Sequence, residues 1–511
     1  MKPTYYVTTP IFYVNGAPHI GHAYTMIAAD VLARFKRLDG FDVFFLTGTD
    51  EHGQKVEKAA ADAGQGPQQF TDQISASFRD LAAAMDVSND QFIRTTEERH
   101  KRASAALWDR LQADGHIYLG GYEGWYAIRD EAFYDADELT TNAAGQKLAP
   151  TGAPVEFVTE PSYFFRMSAF QERLVAHIEA NPDFIAPTAR RNEVLGFLKG
   201  ELRDLSISRT SFRWGVPVPG DDAHVMYVWL DALTNYLTAV GYPDETTGLW
   251  KFWPADLHLV GKDILRFHSV IWPTMLMAAG LPLPRRVFAH GWFTVEGEKM
   301  SKSIGNVIEP RELAAEFGVD AIRFFLMREI TFGADGDYSR ASLIRRLNVE
   351  LANDLGNLAQ RTLSFVAKNA NAAMPVLGAA SEADTALLEQ MTALPGIVRQ
   401  AIEKQSFHDA LEAIWVAIRA GNAYIDQQAP WALRKTDTVR METVLATLLS
   451  LIRVVATLLQ PFMPTSMARM LDQLGVATDA RDLDSLGIPI QAGTALPPPA
   501  GVFPRFVEEG A

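Results

Sequence analysis

Residues 5–53 read YYVTTPIFYVNGAPHIGHAYTMIAADVLARFKRLDGFDVFFLTGTDEHG, and their pattern decides the fold. Tyr5–Val14 is rich in β-branched and aromatic residues and stops at Asn15 and Gly16, so it reads as a strand and its exit. His22–Leu38 places apolar residues at helical spacing until Gly40 ends it. Asp42–Leu46 (DVFFL) is a second strand, leading into a loop at Thr47–Gly53. Strand, helix, strand in that order is the unit of a parallel sheet covered on both faces, an α/β architecture.

Outward from this unit the texture changes. From Ile117 to Pro219 aromatic and turn residues crowd together, with short strands and one helix near Ser168–Asn181, as in an insertion with its own small sheet. Alternation then resumes. Val225–Val240 reads as helix, Leu257–Val260 as strand, Leu265–Ala279 as helix, and Val287–His290 as the strand that closes the sheet. Beyond Arg340 the strands stop, and Leu343–Ala370, Glu382–Lys404, Asp409–Asp426 and Thr438–Leu459 are helical, a bundle. The expected division is 1–115 and 223–290 for the halves of a split Rossmann-like catalytic domain, 116–222 for the insertion, 291–342 for a loop region, 343–484 for the helices and 485–511 for a tail.

Composition sets limits. A chain of 511 residues exceeds one ordinary core, so about two to four packed units are expected. With 48% hydrophobic and 10% aromatic residues, general disorder is excluded. The chain has no cysteine, which removes disulfides, thiolate zinc sites and cysteine nucleophiles together and suits a reducing compartment. The net charge, 47 − 62 = −15, excludes a broad basic field for nucleic acid but leaves room for a local groove. The N-terminus lacks the apolar run of a signal peptide. The most membrane-like stretch, Val444–Leu459, is broken by Ser450 and Arg453 and reads as a buried helix. A cytoplasmic protein with no membrane association is expected.

Two motifs carry chemistry. At the strand-to-helix junction, Gly21 leaves backbone open to a flat base. His19 and His22, three apart, face the same way if a helix begins here. Imidazoles at a helix N-terminus can donate to phosphate oxygens, aided by the helix dipole. The second motif is Lys299-Met300-Ser301-Lys302-Ser303. Two lysines with small hydroxyl residues between glycines suit a loop that stabilises charge developing on a pyrophosphate. Alone, the first could be a loop with incidental histidines and the second a solvated basic turn.

Together, HIGH at 19–22 and KMSKS at 299–303 resemble the two signatures of class I aminoacyl-tRNA synthetases. Their separation, 299 − 22 = 277 residues, suits a nucleotide-binding fold split by an insertion. Trp229-Leu230-Asp231-Ala232, Tyr236, Gly261-Lys262-Asp263-Ile264, His268, Ile11, Tyr13 and the run Thr49-Asp50-Glu51-His52-Gly53 narrow the resemblance to the methionyl-tRNA synthetases. That resemblance implies that Asp50 holds the substrate ammonium. It implies that Ile11, Tyr13, Trp229, Ala232, Tyr236, Ile264 and His268 enclose the thioether, and that Arg209 props the pocket from behind. Without these neighbours Trp229 and Tyr236 would read as core. In the bundle, Asn357, Arg361 and Trp431 match anticodon-reading positions, with Asn357 and Arg361 on one helix face. A helix cap and a core tryptophan are the alternative there.

The resemblance implies activation of L-methionine by Mg-ATP to methionyl-adenylate, then transfer to the 3′ end of tRNA(Met), initiator and elongator alike. His19, Gly21, His22, Lys299, Ser301 and Lys302 would bind ATP, with both histidines and both lysines catalytic. It also implies that 291–342 holds the KMSKS loop and stem contacts, and that 343–484 binds the anticodon. Many relatives carry cysteine-ligated zinc in the insertion. Here Tyr118–Val158 has no cysteine, so no zinc is expected, and Tyr122, Trp125, Tyr126, Phe133 and Tyr134 are expected to pack in its place. A monomer is expected, because no oligonucleotide-binding domain follows the bundle. Editing synthetases for leucine, isoleucine or valine would need a larger insertion, and a nucleotidyltransferase sharing only HxGH would have no use for the bundle.

Overall fold

The computed structural model describes residues 2–130, 132–299 and 306–507. The Lys299 side chain, Ser301 and Lys302 therefore lie outside the described residues. Strand β1 (Thr4–Tyr13), helix α1 (Ile20–Leu38), strand β2 (Asp42–Asp50) and strand β3 (Gln91–Arg94) build the first half of the central sheet. Among the described residues that sheet has six strands, all parallel, in the order β3, β2, β1, Leu257–Gly261, Val287–His290, Ile185–Ala186. Parallel strands buried on both faces need no polar alternation, which is why the quoted runs are apolar at nearly every position.

Three expectations are corrected. Strand β2 does not stop at Leu46: it continues to Asp50, pairing Leu46–Thr49 with β3 and Gly48–Asp50 with β1. Thr47 and Thr49 are polar but fully buried, their hydroxyls bonded to Thr9 and to Glu51 and Ser75. Val287–His290 is not the edge, because Ile185–Ala186 from the insertion pairs outside it. The segment 225–240 is not one helix: Asp221–Met226 is a strand running across the 222/223 division, and the helix spans Val228–Thr238.

Proline 10 leaves a mark on β1. Its ring removes a ladder donor, and the β1–β2 register shifts between Thr8 and Ile11. Thr8 pairs with Leu46 but Ile11 with Gly48, so β1 holds one extra residue, a bulge. The bulge switches faces. Tyr5 and Val7 lie in one core cluster and Tyr6 in the other; beyond Pro10, Phe12 joins the first and Ile11 and Tyr13 border the second.

The insertion carries its own antiparallel sheet, with Ile117–Ala127 between Glu156–Phe165 and Ala132–Tyr134. Trp125 and Tyr134 pack on a small core of Ala127, Ala149, Ala153 and Val155. The Tyr122 and Phe133 side chains lie outside the described residues.

The C-terminal part is helical. Arg340–Asn369 runs as one stretch with a wide-turn middle, followed by Glu382–Glu403, Phe407–Gln428, Pro430–Thr436, Thr438–Leu459 and Pro464–Gln473. Helix Thr438–Leu459 is long and apolar enough to cross a membrane, but it is mostly buried within the bundle. Arg323, fully buried, locks the bundle to the sheet domain. It donates to the carbonyls of Pro461 (2.7 Å), Phe462 (3.1 Å) and Met85 (3.0 Å) and to Asp30 Oδ2 (2.6 Å) on α1. Burial disfavours the Asp30 carboxylate, but Arg323, Arg34 and Ser88 outweigh it and hold its pKa below the ordinary value.

Candidate active site

The C-terminal ends of β1 and β2 and of the neighbouring strand Leu257–Gly261 open on one crevice, where ligands bind in open α/β sheets. His19 caps α1: its Nδ1 accepts from the Gly21 backbone N–H at 3.1 Å, while His22 Nδ1 accepts from the His19 N–H at 3.1 Å. Each ring nitrogen that accepts carries no proton, so the Nε2–H of each ring is its donor. The rings lie 3.9 Å apart between centroids, and His22 packs edge-on against Phe12 and Phe78. Burial, and then the neighbouring His19, push the His22 pKa well below its ordinary value. A pair of neutral N–H donors therefore stands at the positive end of α1.

Five of the predicted pocket residues share one apolar cluster: Tyr236 is buried in it, and Ile11, Tyr13, Trp229 and Ile264 are half-buried against it. Ala232 is buried on the same helix as Tyr236, and His268 is buried beside Tyr236 to make a floor. Trp229, Ala232 and Tyr236 share a face of helix Val228–Thr238 at spacings of three and four. His268 Nδ1 meets the Ile264 carbonyl at 3.0 Å, so that nitrogen must donate. Its Nε2 then accepts from the Tyr236 hydroxyl at 2.7 Å. Burial pushes His268 down to about 4, against the opposing pull of the Ile264 carbonyl and Asp263. The floor is thus neutral and internally satisfied. Phe267, which the sequence reading missed, stacks on Trp229 with centroids 3.5 Å apart. Arg209 is buried with its guanidinium 4.4 Å from the Tyr227 ring centroid, at the entry to the pocket helix.

Asp50 ends β2 directly beside Tyr13, and its carbonyl accepts from the Val14 N–H at 3.2 Å. The residues after it are anchored by partners to which the sequence reading assigned no role. Glu51 takes two bonds from Arg94, at 2.7 and 2.8 Å. His52 Nδ1 lies 2.6 Å from Asp231 Oδ2, and His100 Nε2 lies 2.7 Å from Asp231 Oδ1. His52 and Asp231 stand 179 residues apart, a pairing no spacing rule reveals.

The segment around the second motif borders the same crevice. Lys299 ends a hairpin paired to Phe293–Val295, and Thr25 of α1 bonds His290 at 2.8 Å. The Ile20 N–H at the start of α1 bonds the Ile308 carbonyl at 3.1 Å, six residues after Lys302. In the bundle, Asn357 and Arg361 lie one turn apart, and the Arg361 guanidinium sits 5.7 Å from the Trp431 ring centroid. Trp431 is 44% exposed at the start of a helix set off by the left-handed Ala429. Arg361 also pairs with Asp426 at 2.6 Å.

Comparison with known proteins shows the family. The family model for class I tRNA synthetases (M) matches residues 5–363, and that for the anticodon binding domain of methionyl tRNA ligase matches 374–511. Methionine–tRNA ligase of Rickettsia felis is 55% identical over 99% of both chains, and that of Brucella suis is 54% identical over 99% of both. The chain belongs to the methionyl-tRNA synthetases. The solved methionyl-tRNA synthetase of Mycobacterium tuberculosis in complex with methionyl-adenylate superposes with a TM-score of 0.97 at 52% identity, covering 99% of this chain and all of that one. The free-state structure of the same protein gives 0.91 at 48% identity. The fold is a split class I catalytic sheet with a helical anticodon domain, and the activity is methionine–tRNA ligation with ATP.

Proposed function

We propose that the crevice at the start of α1 forms methionyl-adenylate, with the ammonium on Asp50 and the thioether on the Tyr236–His268 floor. The observation that carries this reading is the convergence of the two Nε2–H donors at α1 with that neutral pocket across the ends of β1 and β2. A methionine carboxylate oxygen attacks the α-phosphorus of ATP, the bond to the β-phosphate oxygen breaks, and pyrophosphate leaves with the electron pair. His19 and His22 hydrogen-bond the α-phosphate as charge shifts, Gly21 lies under the adenine, and Lys299, Ser301 and Lys302 meet the pyrophosphate. A terminal ribose hydroxyl of tRNA then attacks the adenylate carbonyl and AMP departs. Catalysis is positioning and charge stabilisation, with no protein nucleophile.

Arg209 supports the pocket helix through Tyr227. Asn357, Arg361 and Trp431 read the anticodon of initiator and elongator tRNA(Met), which share it. Magnesium arrives with ATP, on its phosphate oxygens. The insertion takes no zinc, since it has no thiolate to offer and Trp125 and Tyr134 pack there around small apolar residues. The protein works as a cytoplasmic monomer, with residues 1–115 and 223–290 for activation, 116–222 as the inserted connective domain, 291–342 as KMSKS loop and stem contact, 343–484 for the anticodon and 485–511 as a tail. The test is amino-acid-dependent ATP–pyrophosphate exchange against all twenty amino acids without tRNA. Exchange with methionine alone is expected; exchange with another amino acid in its place would overturn the pocket assignment.

A further inference from the structure

Asp231 takes no part in the steps above, yet it is a fully buried carboxylate next to the site. It lies in the same helical turn as Trp229 and Ala232, but at 100° per residue it points away from the pocket, toward helix Glu98–Ala113. There it is fully buried, with one oxygen on His52 and the other on His100. His100 meets Thr238, at the end of the pocket helix, through its other nitrogen at 3.1 Å.

This carboxylate joins two elements that the topology keeps apart. The pocket helix is fixed by its own packing: Leu230, Leu233 and Leu237 are buried. The segment Glu51–Gly53 has no such core. Glu51 is held by Arg94, Thr49, Thr95 and Thr96, and its carbonyl and the Gly53 N–H both bond Trp214. Among the described residues, the one link from this segment to the pocket helix is therefore His52 to Asp231, with the His52 ring face on Trp214. Asp50 is the residue immediately before it. A buried carboxylate with both oxygens hydrogen-bonded resists displacement, because breaking either bond leaves a desolvated charge.

We propose that Asp231 is a positioning residue that, through His52, sets the span between the ammonium-binding carboxylate of Asp50 and the thioether wall on Trp229 and Tyr236. The inference rests on the site reading above, and it makes Asp231 a determinant of affinity for the amino acid rather than for ATP. Loss of the tie lets the Asp50 segment shift while the pocket helix stays. The cost therefore falls on contacts to the ammonium alone.

The experiment measures methionine and ATP KM by pyrophosphate exchange. Alongside, it measures the inhibition constant of the methionine analogue that lacks the amino group, which makes no contact with Asp50. Asp231→Asn and His52→Leu should each raise methionine KM by about tenfold to a hundredfold, the factor for a lost hydrogen bond to a buried charge. ATP KM and the analogue's inhibition constant should stay within about twofold. His52→Asn, whose amide N–H takes the place of Nδ1–H toward Asp231, should restore methionine KM toward wild type. If the analogue weakens as much as methionine, or ATP KM rises in step, Asp231 is a core prop and the inference is overturned. It is overturned equally if methionine KM does not move. Asp50→Asn separates the two readings. If it leaves methionine KM unchanged, the ammonium assignment falls and the inference with it; if it raises KM while Asp231→Asn does not, the inference alone falls.

Discussion

Replacing Trp431 by alanine should separate charging of tRNA from activation of methionine. The indole is 44% exposed, so truncation removes little packing and the bundle should keep its stability. Its exposed face, flanked by Arg361 at 5.7 Å, is a stacking platform for an unpaired base. Such a stack contributes about 1–3 kcal/mol, so kcat/KM for tRNA should fall about 5- to 140-fold. The cation–π contact with Arg361, about 0.5–1 kcal/mol at an exposed site, is lost as well and leaves the guanidinium to Asp426 alone. The assay pairs aminoacylation at varied tRNA concentration with pyrophosphate exchange at saturating methionine and ATP. Exchange should be unchanged, and Trp431→Phe should recover most of the charging. Charging within about twofold of wild type would refute the platform. A parallel drop in exchange would show instead that Trp431 supports the fold.

Three other predictions follow from the structure. Lys302→Ala should slow single-turnover adenylate formation by about 10²–10³-fold, the cost of one lost charge-stabilising donor. Methionine binding, read by tryptophan fluorescence, should be intact, and normal activation would remove the role of Lys302. Arg323→Met should strip Asp30 of its buried partner and cost about 3–5 kcal/mol, seen as a lower urea midpoint. Adding Asp30→Asn should return part of that loss, and a double variant worse than the single would argue against the pair. For His268, whose folded pKa is depressed to about 4, the neutral ring's contribution to stability is full above its unfolded pKa of about 6.5. That contribution is lost as pH falls through about 4. Methionine KM should therefore be flat from about pH 8 to about pH 5, and a rise centred near 6.5 would show that the ring is solvated.

Much of this was legible in the chain because the informative residues are local. HIGH and KMSKS are contiguous, and Trp229, Ala232 and Tyr236, which the family resemblance names, fall on one helix face by their spacing. The illegible parts depend on partners distant in sequence. Thr47 and Thr49 made β2 look finished, because the hydroxyls that satisfy them belong to other segments. Ile185–Ala186 is two residues long, too short to carry a period, and its strand character comes from pairing with Val287–Phe288. Asp231 stood inside a quoted motif, but its two histidine partners come from segments that share no pattern with it. Pro10 gave no sign of a bulge in the sequence, since the sign of a bulge lies in the partner strand's register.

That bulge has a consequence for how the enzyme can change. In an unbroken strand, side-chain alternation locks the choice of core residues to the choice of pocket residues, so one cannot be re-phased without the other. The extra residue near Pro10 acts as a phase slip between the two. Upstream, Tyr5 and Val7 can answer to the packing of α1 and the sheet. Downstream, Ile11 and Tyr13 can answer to the shape of an amino-acid side chain. Substrate recognition in this strand is therefore free to drift or to be redesigned without renegotiating the core, so long as the slip itself is kept.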